Sequence, residues 1–241
     1  AIAAYTLGAG GERPALSFYA EVASDGAIVS TASRCERVPI AANLRHTELD
    51  EVFNADTLAA GGIAHAHGAE LERLWRFAQQ LETARGKADQ EVGQRAEYNF
   101  YVDGERVRIV ERQRGTPVDK VVSELMIFVN SEWGRQLSEA GYAAIYRAQA
   151  NGMARMTTVA AAHDGLGVAQ YAWSSSPLRR YVDLINQRQI LALLAGEPGP
   201  YQPGDEALLT ALRDFELAYD TYAGFQRNME RYWCLRWIEQ E

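Results

Sequence analysis

Apolar and polar positions alternate from Leu16 to Val22, the period of a half-buried strand, and the run meets Asp25-Gly26, a hairpin turn signal. Strand character continues from Ala27 to Ile40. Thr47-Glu-Leu-Asp predicts a short helix with Thr47 as its cap, and the small, glycine-rich stretch from Asn54 to Gly68 reads as a loop. From Ala69 to Arg85 the period becomes helical, with Leu71, Leu74, Trp75, Ala78 and Leu81 on one face. A polar linker follows from Gly86 to Gly93. Tyr98 to Val102 and Arg106 to Val110, joined by Asp103-Gly104, predict a second hairpin. Pro117 to Leu137 predicts a long helix whose Val121, Val122, Leu125, Met126 and Val129 face the core. Met153 to Ala162 reads as a strand, Ser176 to Leu194 as a helix broken by Pro198 to Pro203, and Asp205 to Trp237 as one long helix or a bent pair. Strands pair through hairpins rather than crossovers, so the fold class is α+β, antiparallel hairpins packed with several long helices. A length of 241 residues without internal repeats suits one large domain.

The helix expected at Ser176 is unusual at its start. Ser176 is a good N-cap and Pro177 fits the first helical position, after which Leu178, Tyr181, Val182 and Ile185 form an apolar stripe. Arg179 and Arg180 then fall in the first turn, where the helix dipole disfavours cations by roughly 0.3–1 kcal/mol each. An anion at that end reverses the sign, because free N–H groups and guanidinium forks together make a phosphate site. The alternative is a solvated ion pair between Arg179 and Asp183 one turn on.

Hydrophobic content of 47% supports a sizeable core, and no apolar run approaches the ~18 residues of a membrane span. Cys35 and Cys234 stand far apart without paired spacing, which fits a reduced, cytoplasmic compartment. A net charge of −8 argues against a broadly basic nucleic-acid surface but leaves room for a local basic channel. Arginines gather at Arg106, Arg108, Arg112 and Arg114, then at Arg179, Arg180 and Arg188, while lysine is confined to Lys87 and Lys120. That bias suits bidentate phosphate contacts, or equally reflects a GC-rich genome. His65-Ala-His67 offers two ligand types but no third nearby, which is thin for a metal.

The run Ala169-Gln-Tyr-Ala-Trp-Ser-Ser-Ser-Pro-Leu-Arg-Arg-Tyr-Val-Asp-Leu resembles the signature of the ribonuclease II/R (RNB) family, Tyr-x-x-[Phe/Trp]-[Thr/Ser]-Ser-Pro-[Ile/Leu]-Arg-[Arg/Lys]-Tyr-x-Asp-[Leu/Met]. His163-Asp-Gly-Leu-Gly is similar to the family's His-x-Gly-Leu-Gly. Val121-Val-Ser-Glu-Leu-Met-Ile-Phe-Val-Asn130 is similar to its Val-x-Glu-x-Met-[Leu/Ile]-x-x-Asn helix, and Ala15 to Val29 to its first strand pair. The resemblance runs from about residue 14 to the C-terminus.

The resemblance implies a processive, hydrolytic 3′→5′ exoribonuclease on single-stranded RNA that releases nucleoside 5′-monophosphates with Mg²⁺. It places Arg179 beside the scissile phosphate as the catalytic residue, with Arg180, Tyr181 and Ser176 of the same signature around the RNA. It implies that Glu124 accepts hydrogen bonds from the 3′-terminal ribose, the group that separates RNA from DNA; the alternative is a surface pair with Lys120. It places a stacking phenylalanine near Phe100, with Tyr98 and Tyr101 on the same hairpin, and His46 where the family's Leu-x-Tyr stretch packs terminal nucleotides. Gln226 stands about where many members carry a functional glutamate; neither Gln226 nor Glu230 takes over its role.

The family's metal is held by an acidic cluster upstream of the matched motifs, and this chain's aspartates stand singly. The expectation is therefore a partial RNB catalytic domain over residues 1–241, with the metal carboxylates and the flanking OB-type RNA-binding domains outside it. The rival expectations are a metal-free RNB-like domain that only binds RNA, and a fold used for protein contacts, although nothing in the sequence specifies a protein partner or a membrane.

Overall fold

The structure is a computed structural model that describes residues 2–88, 97–112 and 114–241. A first turn of helix, α1 (Ile2–Tyr5), leads into a long antiparallel hairpin of β1 (Gly11–Val22) and β2 (Ile28–Ile40). Its turn needs Gly26 at φ +86°, and Asp25 closes it by accepting the Ala27 N–H at 3.0 Å. The short helices α2 (His46–Leu49) and α3 (Ala55–Ala59) follow, then α4 (Gly68–Ala84). The helix α3 lies where the sequence reads as loop. Asn54 builds it, with its side chain accepting the Asp56 and Thr57 N–H groups at 3.1 Å while Thr57 Oγ1 accepts the Asn54 N–H. Arg45, not Thr47, occupies the N-cap position of α2. The expected polar linker runs into residues 89–96, outside the described residues.

The second hairpin is β3 (Glu97–Asp103) with β4 (Arg106–Arg112), as its turn signal predicts. Thr116 then caps the long helix α5 (Pro117–Glu139), accepting the Asp119 N–H at 3.3 Å with Pro117 in the first turn. A third hairpin, β5 (Tyr146–Ala150) with β6 (Met153–Thr157), precedes the signature segment. The chain ends in α6 (Tyr181–Ala195), closed by Gly196 at φ +68°, and α7 (Glu206–Gln240), one unbroken helix. Antiparallel hairpins and helices make the fold α+β, as the pattern implied. No helix among the described residues is long and apolar enough to cross a membrane.

The helix α5 is the spine. Val118 and Val121 enter a core with Leu49, Phe53, Leu71 and Ala78; Ile127 enters another with Ile145, Trp173, Val182, Ile185 and Leu208; Trp133 and Leu137 enter a third with Ala144, Tyr146, Ala172 and Ile190. Each such side chain contributes roughly 1.5–3 kcal/mol on burial. The buried line on α5 is not the one the apolar residues suggested. Val122 and Met126 are 44% and 41% exposed, whereas Glu124 and Asn130 are 5% and 1% exposed. Two polar residues displace apolar ones from the core because both find complete partners there, as described next.

Candidate functional site

Residues 171–180 form neither helix nor strand, yet Tyr171 to Ser174 are buried. Buried irregular backbone must find side-chain partners, and α5 and α6 supply them. Asn130 Oδ1 accepts the Ser174 N–H at 2.9 Å and its Nδ2 donates to Ser175 Oγ at 3.1 Å. Asn186 Nδ2 donates to the carbonyls of Trp173 and Ile145, both at 2.8 Å, and Gln187 Nε2 to that of Ser174 at 2.7 Å. The segment is thus held as a rigid lip between two helices.

Beyond it the chain turns. The N–H groups of Arg179 and Arg180 donate to Ser176 O at 3.2 and 3.0 Å, but Arg180 is extended (φ −130°, ψ 121°), so α6 begins only at Tyr181. Ser176 is therefore not the cap of α6, and Leu178 and Tyr181, expected in the buried stripe, are 48% and 51% exposed. The cause is Asp183, which has no solvent exposure. Its Oδ1 accepts the Ser176 N–H at 2.8 Å, and both its oxygens take the Arg180 guanidinium at 2.7 Å. Asp183 thereby joins the two ends of the turn, with Arg180 extended between them. Arg180 also lies over the Trp173 ring, 4.1 Å from its centroid, with the Arg147 guanidinium 4.7 Å from the same ring. The pairing of Arg179 with Asp183 is overturned, since Arg180 takes that carboxylate. Among the described residues Arg179 makes no side-chain hydrogen bond or ion pair, and it projects exposed from the turn.

Glu124 does not pair with Lys120, which reaches Glu82 at 2.7 Å. Arg85, just past the end of α4, takes both Glu124 oxygens, at 2.5 and 3.2 Å, and donates its remaining arm to Leu166 O. Gly167, at φ +66°, lets that loop close onto α4; a Cβ there would meet Arg85 O at 2.4 Å. The ion pair thus ties the 163–168 loop to α4 and α5. In the same loop His163 packs edge-on to Tyr171, and its Nδ1 accepts the Leu166 N–H at 3.3 Å. Desolvation, then the Arg147 charge, holds the imidazole pKa below its ordinary value. A lowered folded-state value means that stability is present above the unfolded value of about 6.5 and is lost as pH falls below it. The thermal midpoint should drop as pH is lowered from about 7 toward 5, and the His163→Asn variant, which keeps an acceptor near Nδ1, should show a flatter profile. An unchanged slope in that variant counts against His163 as the source.

The other expected residues lie apart from this lip. Tyr181 opens onto a shallow groove with Tyr201, Glu206, Asp214 and Phe215, and the Tyr181 hydroxyl beside it raises the Tyr201 pKa. Phe100 is half-buried on the face of the second hairpin that carries Val107 and Ile109, while Tyr101 on the opposite face is half-exposed with Arg108 4.9 Å from its centroid. His46, the first residue of α2, lies against the start of α5, its Nδ1 3.6 Å from Asp119 Oδ1, where Arg112 also binds. Arg114 pairs with Glu97 and Arg112 with Asp119, whereas Arg106 and Arg108 of the expected basic run have no ion pair among the described residues. Gln226 bonds only its neighbour Glu230, at 3.0 Å, among the described residues. No group of three or more His, Cys, Asp or Glu among the described residues could hold a metal ion. The sequence reading missed Arg85, Asn130, Asn186 and Gln187; for Asn130 and Asn186 the signal was an amide side chain at core phase in a helix.

Residues 2–158 and 150–196 match the RNB domain family. The chain belongs to the RNB domain family. An uncharacterized ribonuclease from Synechocystis sp. is 34% identical over 80 residues, 32% of this chain and 11% of that protein. The RNB fold is shared with three solved structures. An active-site mutant of the Dss1 exoribonuclease from Candida glabrata has a TM-score of 0.81 at 19% identity, covering 98% of this chain and 35% of that one. Mycoplasma genitalium RNase R in complex with ribose-methylated single-stranded RNA has a TM-score of 0.74 at 13% identity, covering 97% and 46%. Yeast Ssd1, a pseudonuclease, has a TM-score of 0.66 at 16% identity, covering 88% and 32%. This chain therefore spans less than half the length of each of these proteins.

Proposed function

We propose that this RNB domain chain is part of a hydrolytic, processive 3′→5′ exoribonuclease acting on single-stranded RNA and releasing nucleoside 5′-monophosphates in the cytoplasm. One observation carries the reading. Of two adjacent signature arginines, Arg180 is bound by the buried Asp183 while Arg179 stands exposed on the lip, without a side-chain partner among the described residues. An unneutralised guanidinium fixed in this way is suited to a phosphate. In the reaction a water oxygen bonds to phosphorus, the bond from phosphorus to the preceding 3′ oxygen breaks, and that oxygen gains a proton. Arg179 binds the non-bridging oxygens as negative charge builds on them. Tyr181 and Ser176 flank it, and Phe100 and His46 remain candidates for gripping bases farther along the strand. Glu124, with both oxygens on Arg85, is suited to holding the site together; a ribose contact requires a lone pair that Arg85 leaves free.

The described residues do not fit a Mg²⁺ site. We propose that Mg²⁺ dependence of this nuclease rests on carboxylates outside these 241 residues. The same observation favours a second reading, an RNA-binding RNB domain without turnover, and a pseudonuclease stands among the structural relatives. The test is 5′-labelled single-stranded RNA incubated with the protein and Mg²⁺, with an EDTA control. Collapse of the label to short end products only with metal supports the nuclease. Retention of full-length RNA in a salt-sensitive complex supports the binder.

A further inference from the structure

Two adjacent arginines at one turn invite the view that both grip phosphate. The geometry points to a division of labour instead: we propose that Arg180, Asp183 and Trp173 form a latch whose work is to position Arg179, and that Arg180 never contacts RNA. The inference rests on the proposed reading of Arg179 and deepens it.

Three features carry it. Arg180 commits its Nε and Nη2 to Asp183, both at 2.7 Å, and its guanidinium carbon lies 4.1 Å from the centroid of the Trp173 ring. Its side chain is 15% exposed, so little of it faces any ligand. Asp183 has no solvent exposure and joins the two ends of the turn, holding the Ser176 N–H at 2.8 Å on one side and Arg180 on the other. Trp173 is in turn fixed by Asn186 through its carbonyl at 2.8 Å and by the core of α6 and α7. The residue of the turn with a long cationic side chain left over is Arg179, and the backbone that carries it is held on both sides by Asp183, through the Ser176 N–H and the Arg180 side chain. An Asp183 carboxylate freed from Arg180 would let the turn from Ser176 to Arg180 move, and a displacement of about 1 Å at a reacting group costs about 100-fold in rate.

The test compares Arg180→Lys, Arg180→Gln and Arg179→Ala, singly and combined, in the intact protein. The readouts are kcat and KM on 5′-labelled single-stranded RNA, the salt dependence of RNA affinity, and hydrogen exchange at the Ser176 amide. Arg180→Lys keeps the charge and loses the fork geometry, so it should lower kcat by about 10–100-fold with KM and salt slope unchanged. It should cost nothing further in the Arg179→Ala background, because the latch acts only through Arg179. Arg180→Gln should leave the salt slope unchanged, and both Arg180 variants should speed exchange at Ser176. A full additional loss in the Arg179→Ala background, or a salt slope reduced by about one in Arg180→Gln, overturns the proposal and makes Arg180 a phosphate ligand. If wild-type protein neither cuts nor binds RNA, the nuclease reading fails. The latch is then decided by Ser176 exchange alone, faster in Arg180→Lys if it exists and unchanged if it does not.

Discussion

Arg179→Ala should reduce kcat on single-stranded RNA by about 10²–10³-fold while leaving KM and the thermal midpoint close to wild type. The magnitude is that of removing one preorganised group aimed at developing charge. The selectivity for kcat follows from where the charge builds, since an interaction that strengthens between ground state and transition state is spent on turnover rather than on binding. The unchanged midpoint follows from the structure, in which Arg179 is exposed and makes no side-chain bond among the described residues. Arg179→Lys should recover only part of the rate, because a point charge does not replace a planar fork. Single-turnover cleavage of labelled RNA measures this directly. A variant with wild-type kcat and a raised KM would place Arg179 on the RNA path but away from the reacting phosphate.

Glu124→Ala should lower unfolding free energy by about 3–5 kcal/mol, the loss expected when one partner of a buried ion pair is removed and the other charge is stranded. Glu124 is 5% exposed and the Arg85 side chain 14%, so neither recovers hydration by a small movement. The double variant Arg85→Met with Glu124→Leu should be much less destabilised than either single one, because it removes both charges together. Urea denaturation of the four proteins makes the comparison. Glu124→Gln separates this from ribose recognition. A stable variant that now cleaves or binds DNA as well as RNA would assign Glu124 to the ribose, whereas a destabilised variant with RNA preference intact assigns it to the scaffold.

Much of the fold could be read from the chain, and the reasons differ by element. The hairpins at Asp25-Gly26 and Asp103-Gly104 were legible because a two-letter turn signal falls between alternating strands. The third hairpin carries the same kind of signal at Asn151-Gly152, where both residues have positive φ, but only its second strand was anticipated. The buried line of α5 was not legible, because Glu124 and Asn130 are inside only by virtue of partners 39 residues back and 44 residues ahead in sequence. The signature's chemistry was legible as a pair of arginines. Which of them is free was not, because that depends on a carboxylate reaching back over a turn that local propensity reads as helix. His46 and Phe100 could be placed on their elements from sequence, but their surroundings at Asp119 and on the inner face of a hairpin come from tertiary contacts.

The helix α5 enters all three apolar cores, and each of those cores holds one tryptophan: Trp75 beside Phe53, Trp173 beside Ile185, and Trp133 beside Leu137. A chain whose strands occur only as separate hairpins would ordinarily come apart piece by piece. Here α5 cannot unwind without opening all three. The three cores should therefore be coupled in melting, and the amides of the lip that presents Arg179 should exchange as slowly as those of α5 rather than like those of a surface loop.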